Sequence, residues 1–76
     1  MAEFTASMRT DLAAALRRGM ADGSVRAGLD PDIAAVLIAS TLQGLAYEWL
    51  LQPAAIDLPR AYAALGVMLR DYLGTS

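Results

Sequence analysis

Apolar and polar positions along the chain recur with a helical period in three stretches, and no two-residue alternation of the β type competes with them. In the first, Phe4, Met8, Leu12, Ala15, Leu16, Gly19 and Met20 fall at three- and four-residue steps, with Ser7, Thr10, Asp11, Arg17 and Arg18 opposite. This predicts a helix over residues 3–22. Gly23 is placed to stop it, because glycine adopts the left-handed C-terminal conformation without a Cβ penalty. In the third stretch Ala61, Tyr62, Leu65, Met68, Leu69, Tyr72 and Leu73 form a broad stripe opposed by Arg60, Arg70 and Asp71. A helix over 58–73 follows, capped by Asp57, with Pro59 in its first turn and Gly74 at its end.

The middle stretch departs from the usual amphipathic pattern. Asp30-Pro31-Asp32 is a start signal: Asp30 can accept from the unpaired first-turn amides, proline suits the first helical position, and Asp32 complements the helix dipole. The helix expected over 31–52 then carries one apolar face of Ile38, Leu42, Leu45 and Trp49 and another of Ile33, Val36, Leu37, Ser40, Gly44, Tyr47 and Leu51. Ala35, Ala39 and Ala46 separate the two faces on one side, and Thr41, Glu48 and Gln52 on the other. A surface helix needs only one apolar stripe about 100° wide. Two faces imply cover on two sides, once by the chain itself and once by a second copy.

Composition sharpens that inference. At 76 residues the chain is near the size where one core supplies only about 3–5 kcal/mol. It has neither cysteine nor histidine, which removes disulfides, thiolate metal sites and the commonest general base. No metal and no cofactor is expected. Oligomerisation is the remaining means of stabilisation, and a hydrophobic content of 57% supplies the surface for it. Six arginines against eight acids, a net charge of −2, do not favour direct binding to nucleic acid. The longest uncharged run, Ile33 to Tyr47, is 15 residues, against about 20 for a spanning helix. With no export signal apparent at Met1 to Phe4, a cytoplasmic protein without a membrane span is expected.

Candidate chemistry is sparse. Asp30 and Asp32 could act as paired carboxylates, but capping accounts for both. Glu48, the one acid inside the apolar part of the middle helix, suits the rim of an interface or a cationic ligand. Arg17, Arg18 and Arg26 form a small basic cluster whose positions near a helix C-terminus are favourable without any phosphate. Tyr47, Trp49, Tyr62 and Tyr72 suit packing or an aromatic ligand. Nothing assembles a nucleophile, base and oxyanion site, so the chain is not expected to be an enzyme.

The run LRRGMADGSVRAGLDPDIAAVLIASTLQGLAYEWLLQPAAIDLPRAYAAL, residues 16–65, resembles the C-terminal part of tetracycline-repressor family transcriptional regulators. The resemblance rests on Gly19 to Gly23, a short basic connector, Asp30-Pro31, Gly44-Leu45, Trp49-Leu50-Leu51, Pro53 and Asp57-Leu58, and covers about Leu12 to Leu73. It implies an all-α, three-helix antiparallel unit whose last two helices pair with those of a second copy as a four-helix bundle, preceding helices enclosing an effector pocket. The helix-turn-helix of such regulators is not among these residues, so DNA reading does not carry over.

On this reading the homodimer interface draws on Leu37, Ser40, Thr41, Gly44 and Glu48 of the second helix and on Tyr62, Leu65, Leu69 and Tyr72 of the third. A hydrophobic small-molecule effector would face Leu12, Leu16, Leu42, Leu45 and Trp49. The implied role is dimerisation and partial effector binding, holding two DNA-reading heads at fixed spacing. The alternative is a stand-alone helical homodimer that binds a hydrophobic small molecule.

Overall fold

The computed structural model describes the backbone of residues 2–74 and the side chains of residues 6–74. Phe4, which spacing places in the first stripe, falls outside the described side chains. The architecture is all-helical, with α1 at Ala2–Asp22, α2 at Pro31–Leu51 and α3 at Leu58–Leu73, and no strands among the described residues.

Each helix end has a local cause. Asp30 Oδ1 accepts from the backbone amides of Asp32 (3.1 Å) and Ile33 (3.2 Å), and Pro31 occupies the first turn without losing a helical donor. Asp57 Oδ1 does the same for α3 through the Arg60 amide at 3.1 Å. Gly23, with φ of 86°, turns the chain out of α1 in the conformation that favours glycine. Pro53 follows the capping residue Gln52, which still donates its amide to Glu48 O.

The core lies mainly between α1 and α2, which pack together far more extensively than α2 and α3 do. It contains Ala13, Leu16, Leu29, Ala34, Ala35 and Ile38, with Leu12, Met20, Val25, Leu42, Leu69, Tyr72 and Leu73 packed against it. Its deepest residues are the alanines 34, 35 and 39 of α2, whose small side chains let α1 approach closely. Ala13 is buried, whereas Ala15, which spacing places in the stripe, is exposed. Ala13 and Ala15 flank Leu16 on opposite sides, about 60° and 100° around the helix, and α2 packs on the Ala13 side.

The result is a flat body. Its extents are 41 × 30 × 13 Å and its radius of gyration is 13.6 Å, against about 11.4 Å for a compact domain of this length. The chain exposes 5362 Å², whereas a compact monomer of this mass exposes about 4,450 Å². No large side chain among the described residues is completely sealed from solvent.

Candidate functional site

Part of the exposed apolar area lies on the side of α2 turned away from α1. Ile33, Leu37, Tyr47 and Leu51 are each more than half exposed there, and Val36 is 43% exposed. Of the expected pairing residues, Leu37, Ser40, Thr41, Gly44 and Glu48 all lie exposed on this same face. Thr41 Oγ1 donates to Leu37 O at 2.7 Å, so its hydroxyl is satisfied inside the helix and makes no demand on a neighbour. Gly44 is more informative. A Cβ added to it would meet nothing within 4 Å, so nothing inside the chain requires glycine at a mid-helix position where it costs about 1 kcal/mol relative to alanine.

Helix α3 contributes the second wall. Leu65 is buried, Leu69 and Tyr72 are half-buried, and Tyr62 is exposed. Between the helices runs an open groove of about 300 Å³ lined by Leu37, Ile38, Thr41, Leu65, Met68, Leu69 and Tyr72. Five of the expected residues therefore meet across one groove: Leu37, Thr41, Leu65, Leu69 and Tyr72. Ser40, Gly44, Glu48 and Tyr62 lie outside its lining. Met68, 65% exposed, and Ile38 belong to the lining although the sequence reading does not place them in the interface. Met68 stands in the α3 stripe, and Ile38 sits about 100° from Leu37, close enough to border both faces of α2.

The residues expected to face an effector are more scattered. Leu16 is buried in the core, and Leu12 and Leu42 pack against it. Leu45 is half-buried and Trp49 is 39% exposed. Leu12 also lines a shallow, open hollow of about 350 Å³ on α1 with Ser7, Met8 and Asp11.

Two of the three arginines of the basic cluster have partners within the chain. Arg17 Nη2 donates to both carboxylate oxygens of Asp32 at 2.8 Å, across the start of α2. Arg26 is drawn to the end of α3, its Nε donating to Tyr72 O at 2.7 Å. Asp22 accepts from the amide and the hydroxyl of Ser24 at 2.9 and 2.6 Å, and the hydroxyl bond first, then the amide bond, holds its carboxyl below its ordinary range.

By length and composition α2 could cross a bilayer. One of its faces is nevertheless occupied by α1, and the other carries Ser40, Thr41, Gly44 and Glu48 among its apolar residues.

A family model described as BetI-type transcriptional repressor, C-terminal, matches residues 1–74. No curated protein and no solved structure matches the chain.

Proposed function

The chain belongs to the family of BetI-type transcriptional repressor C-terminal domains, within the tetracycline-repressor regulators, and we propose that its role there is to pair two copies through the outer faces of α2 and α3. This family is one of regulator domains and not of enzymes. The supporting observation is the coincidence of a flat, under-buried body with exposed apolar side chains on the outer face of α2 beside the α2–α3 groove. That face combines the α2 stripe with the groove against α3, and a second copy laid against it makes a four-helix bundle. Leu37, Thr41, Leu65, Leu69 and Tyr72 form the apolar centre, joined by Met68. Ser40 and Gly44 permit close approach, and Glu48 and Tyr62 lie toward the rim. In a cytoplasmic repressor this pairing keeps two DNA-reading heads at the separation that operator half-sites require. The chain's own charge of −2 argues against its touching DNA itself.

Effector binding is the subsidiary role. Leu12, with Met8, offers part of an apolar wall, while Leu16 and Leu42 act behind it as packing. The alternative reading, a hydrophobic small molecule seated directly on the homodimer, draws on the α2–α3 groove, whose volume is near the lower limit of about 300 Å³ for small-molecule sites.

Leu37→Asp decides between pairing and an idle surface. The side chain is more than half exposed in one copy, so the substitution leaves the isolated chain's helix content unchanged but places a charge in the centre of the proposed interface. A monomeric variant beside a dimeric parent, both with full helical circular dichroism, supports pairing. A variant that dimerises as well as its parent refutes it.

A further inference from the structure

Helix α3 is held unevenly. Leu65 is its one buried residue, and the segment that leads into it, Gln52 to Ala55, is exposed, with a single turn bond from the Ala55 amide to Gln52 O at 3.0 Å. Its far end is gripped from elsewhere in the chain. The Arg26 amide donates to Leu73 O at 2.9 Å, Arg26 Nε donates to Tyr72 O at 2.7 Å, and the Arg26 guanidinium lies 5.2 Å from the centroid of the Tyr72 ring. One residue thus supplies two donors to carbonyls at the α3 C-terminus, where helical carbonyls lack intrahelical partners and where positive charge is favourable. It also covers the aromatic ring that lines the α2–α3 groove.

Arg26 is itself firmly placed. Its neighbour Val25 donates its amide to Gly19 O at 3.0 Å, and Val25 packs so closely on Gly19 that a Cβ there would lie 2.5 Å from Val25 Cγ2. A continuous set of contacts therefore runs from the end of α1, through Gly19, Val25 and Arg26, to Tyr72 and Leu73 of α3.

We infer that Arg26 is a positioning residue that latches α3 to the α1–α2 hairpin, and thereby sets the register of the groove through which two copies pair. This rests on the pairing reading for its consequence, but not for the latch itself. The α1–α2 connector becomes the part of the molecule through which a disturbance at the end of α1 reaches the pairing face. Arg26→Ala retains the backbone donor and removes the Nε bond and the cation over the ring. Arg26→Lys retains a charge but not the flat Nε–H donor that reaches Tyr72 O.

The test is amide hydrogen exchange on the 76-residue chain, read helix by helix, together with the dimer dissociation constant from sedimentation equilibrium. In Arg26→Ala, α3 amide protection is expected to fall about tenfold or more, the change that accompanies loss of one hydrogen bond from a charged donor. Protection in the α1–α2 core is expected to stay within about twofold, and Arg26→Lys to fall between alanine and parent. The dissociation constant of Arg26→Ala is expected to rise by a similar factor. Unchanged α3 protection overturns the latch, as does an equal loss in all three helices or a lysine variant that matches the parent. Loosened α3 with an unchanged dissociation constant overturns the link to pairing. If the parent is monomeric at every concentration, the pairing reading fails separately, and the exchange comparison still decides the latch.

Discussion

Gly44→Ala separates what a single chain wants from what a pair wants. Position 44 is inside α2 and exposed, and a methyl group there would have no neighbour within 4 Å in its own chain, so in an isolated chain alanine should stabilise by about 1 kcal/mol through helix propensity alone. That gain belongs equally to folded monomer and folded dimer and cancels from the dissociation constant. The dissociation constant therefore reports only what the methyl group meets in the partner. In a two-fold symmetric pair each added methyl acts on the same patch twice, and overpacking costs roughly 1–3 kcal/mol per site. About 2 kcal/mol for the pair is the lower expectation, which corresponds to weakening of about thirtyfold. The assay is sedimentation equilibrium of parent and variant, with urea unfolding of each at several protein concentrations. Linked folding and association make the parent's midpoint rise with concentration. The variant should lose most of that dependence while being more stable at the dilute end. A Gly44→Ala chain that is about 1 kcal/mol more stable and dimerises within about threefold of its parent would refute close helix approach at Gly44.

Three further outcomes follow from the contacts. Gly19→Ala places a methyl group 2.5 Å from Val25 Cγ2 and should destabilise by roughly 1–3 kcal/mol in urea unfolding; a neutral result would mean that Val25 does not pack on Gly19. Arg17→Ala should cost less than about 1 kcal/mol, because the Arg17–Asp32 pair is 54% and 69% exposed, and its effect should vanish in molar salt; a larger, salt-insensitive loss measured by thermal unfolding contradicts that. The Asp22 carboxyl, held below 3.8 by its bonds to Ser24, contributes stability that is full at neutral pH and is lost as pH falls below 3.8 through its folded-state value. Ser24→Ala should bring the Asp22 titration, followed by NMR, back toward 3.8, and an unmoved titration would remove the Ser24 hydroxyl as the main cause.

The helix starts are readable because their causes are local: Asp30-Pro31 and Asp57 with Pro59 carry their own capping donors and acceptors within a few residues. The two-faced character of α2 is readable for a similar reason, since its excess of apolar positions is visible without knowing what covers them. Spacing alone does not separate Ala13 from Ala15, because both border the stripe and only the direction from which α2 approaches decides between them. Nor does it show where α3 sits along α2. The groove brings Leu65, Leu69 and Tyr72 beside Leu37 and Thr41, leaving Gly44 and Glu48 beyond its lining, and no periodicity encodes that offset. The Arg26 grip on Tyr72 spans 46 residues of sequence. Read locally, Arg26 is one member of a basic cluster; only the folded chain brings it to the α3 carbonyls.

Association state as a function of concentration tests the central claim most directly. Sedimentation equilibrium of the 76-residue chain from micromolar to millimolar concentration should show a reversible passage from the 8.0 kDa chain to a species of twice that mass, with stability falling as the chains separate. A folded species that stays at 8.0 kDa throughout, with an unfolding midpoint independent of concentration, would contradict it.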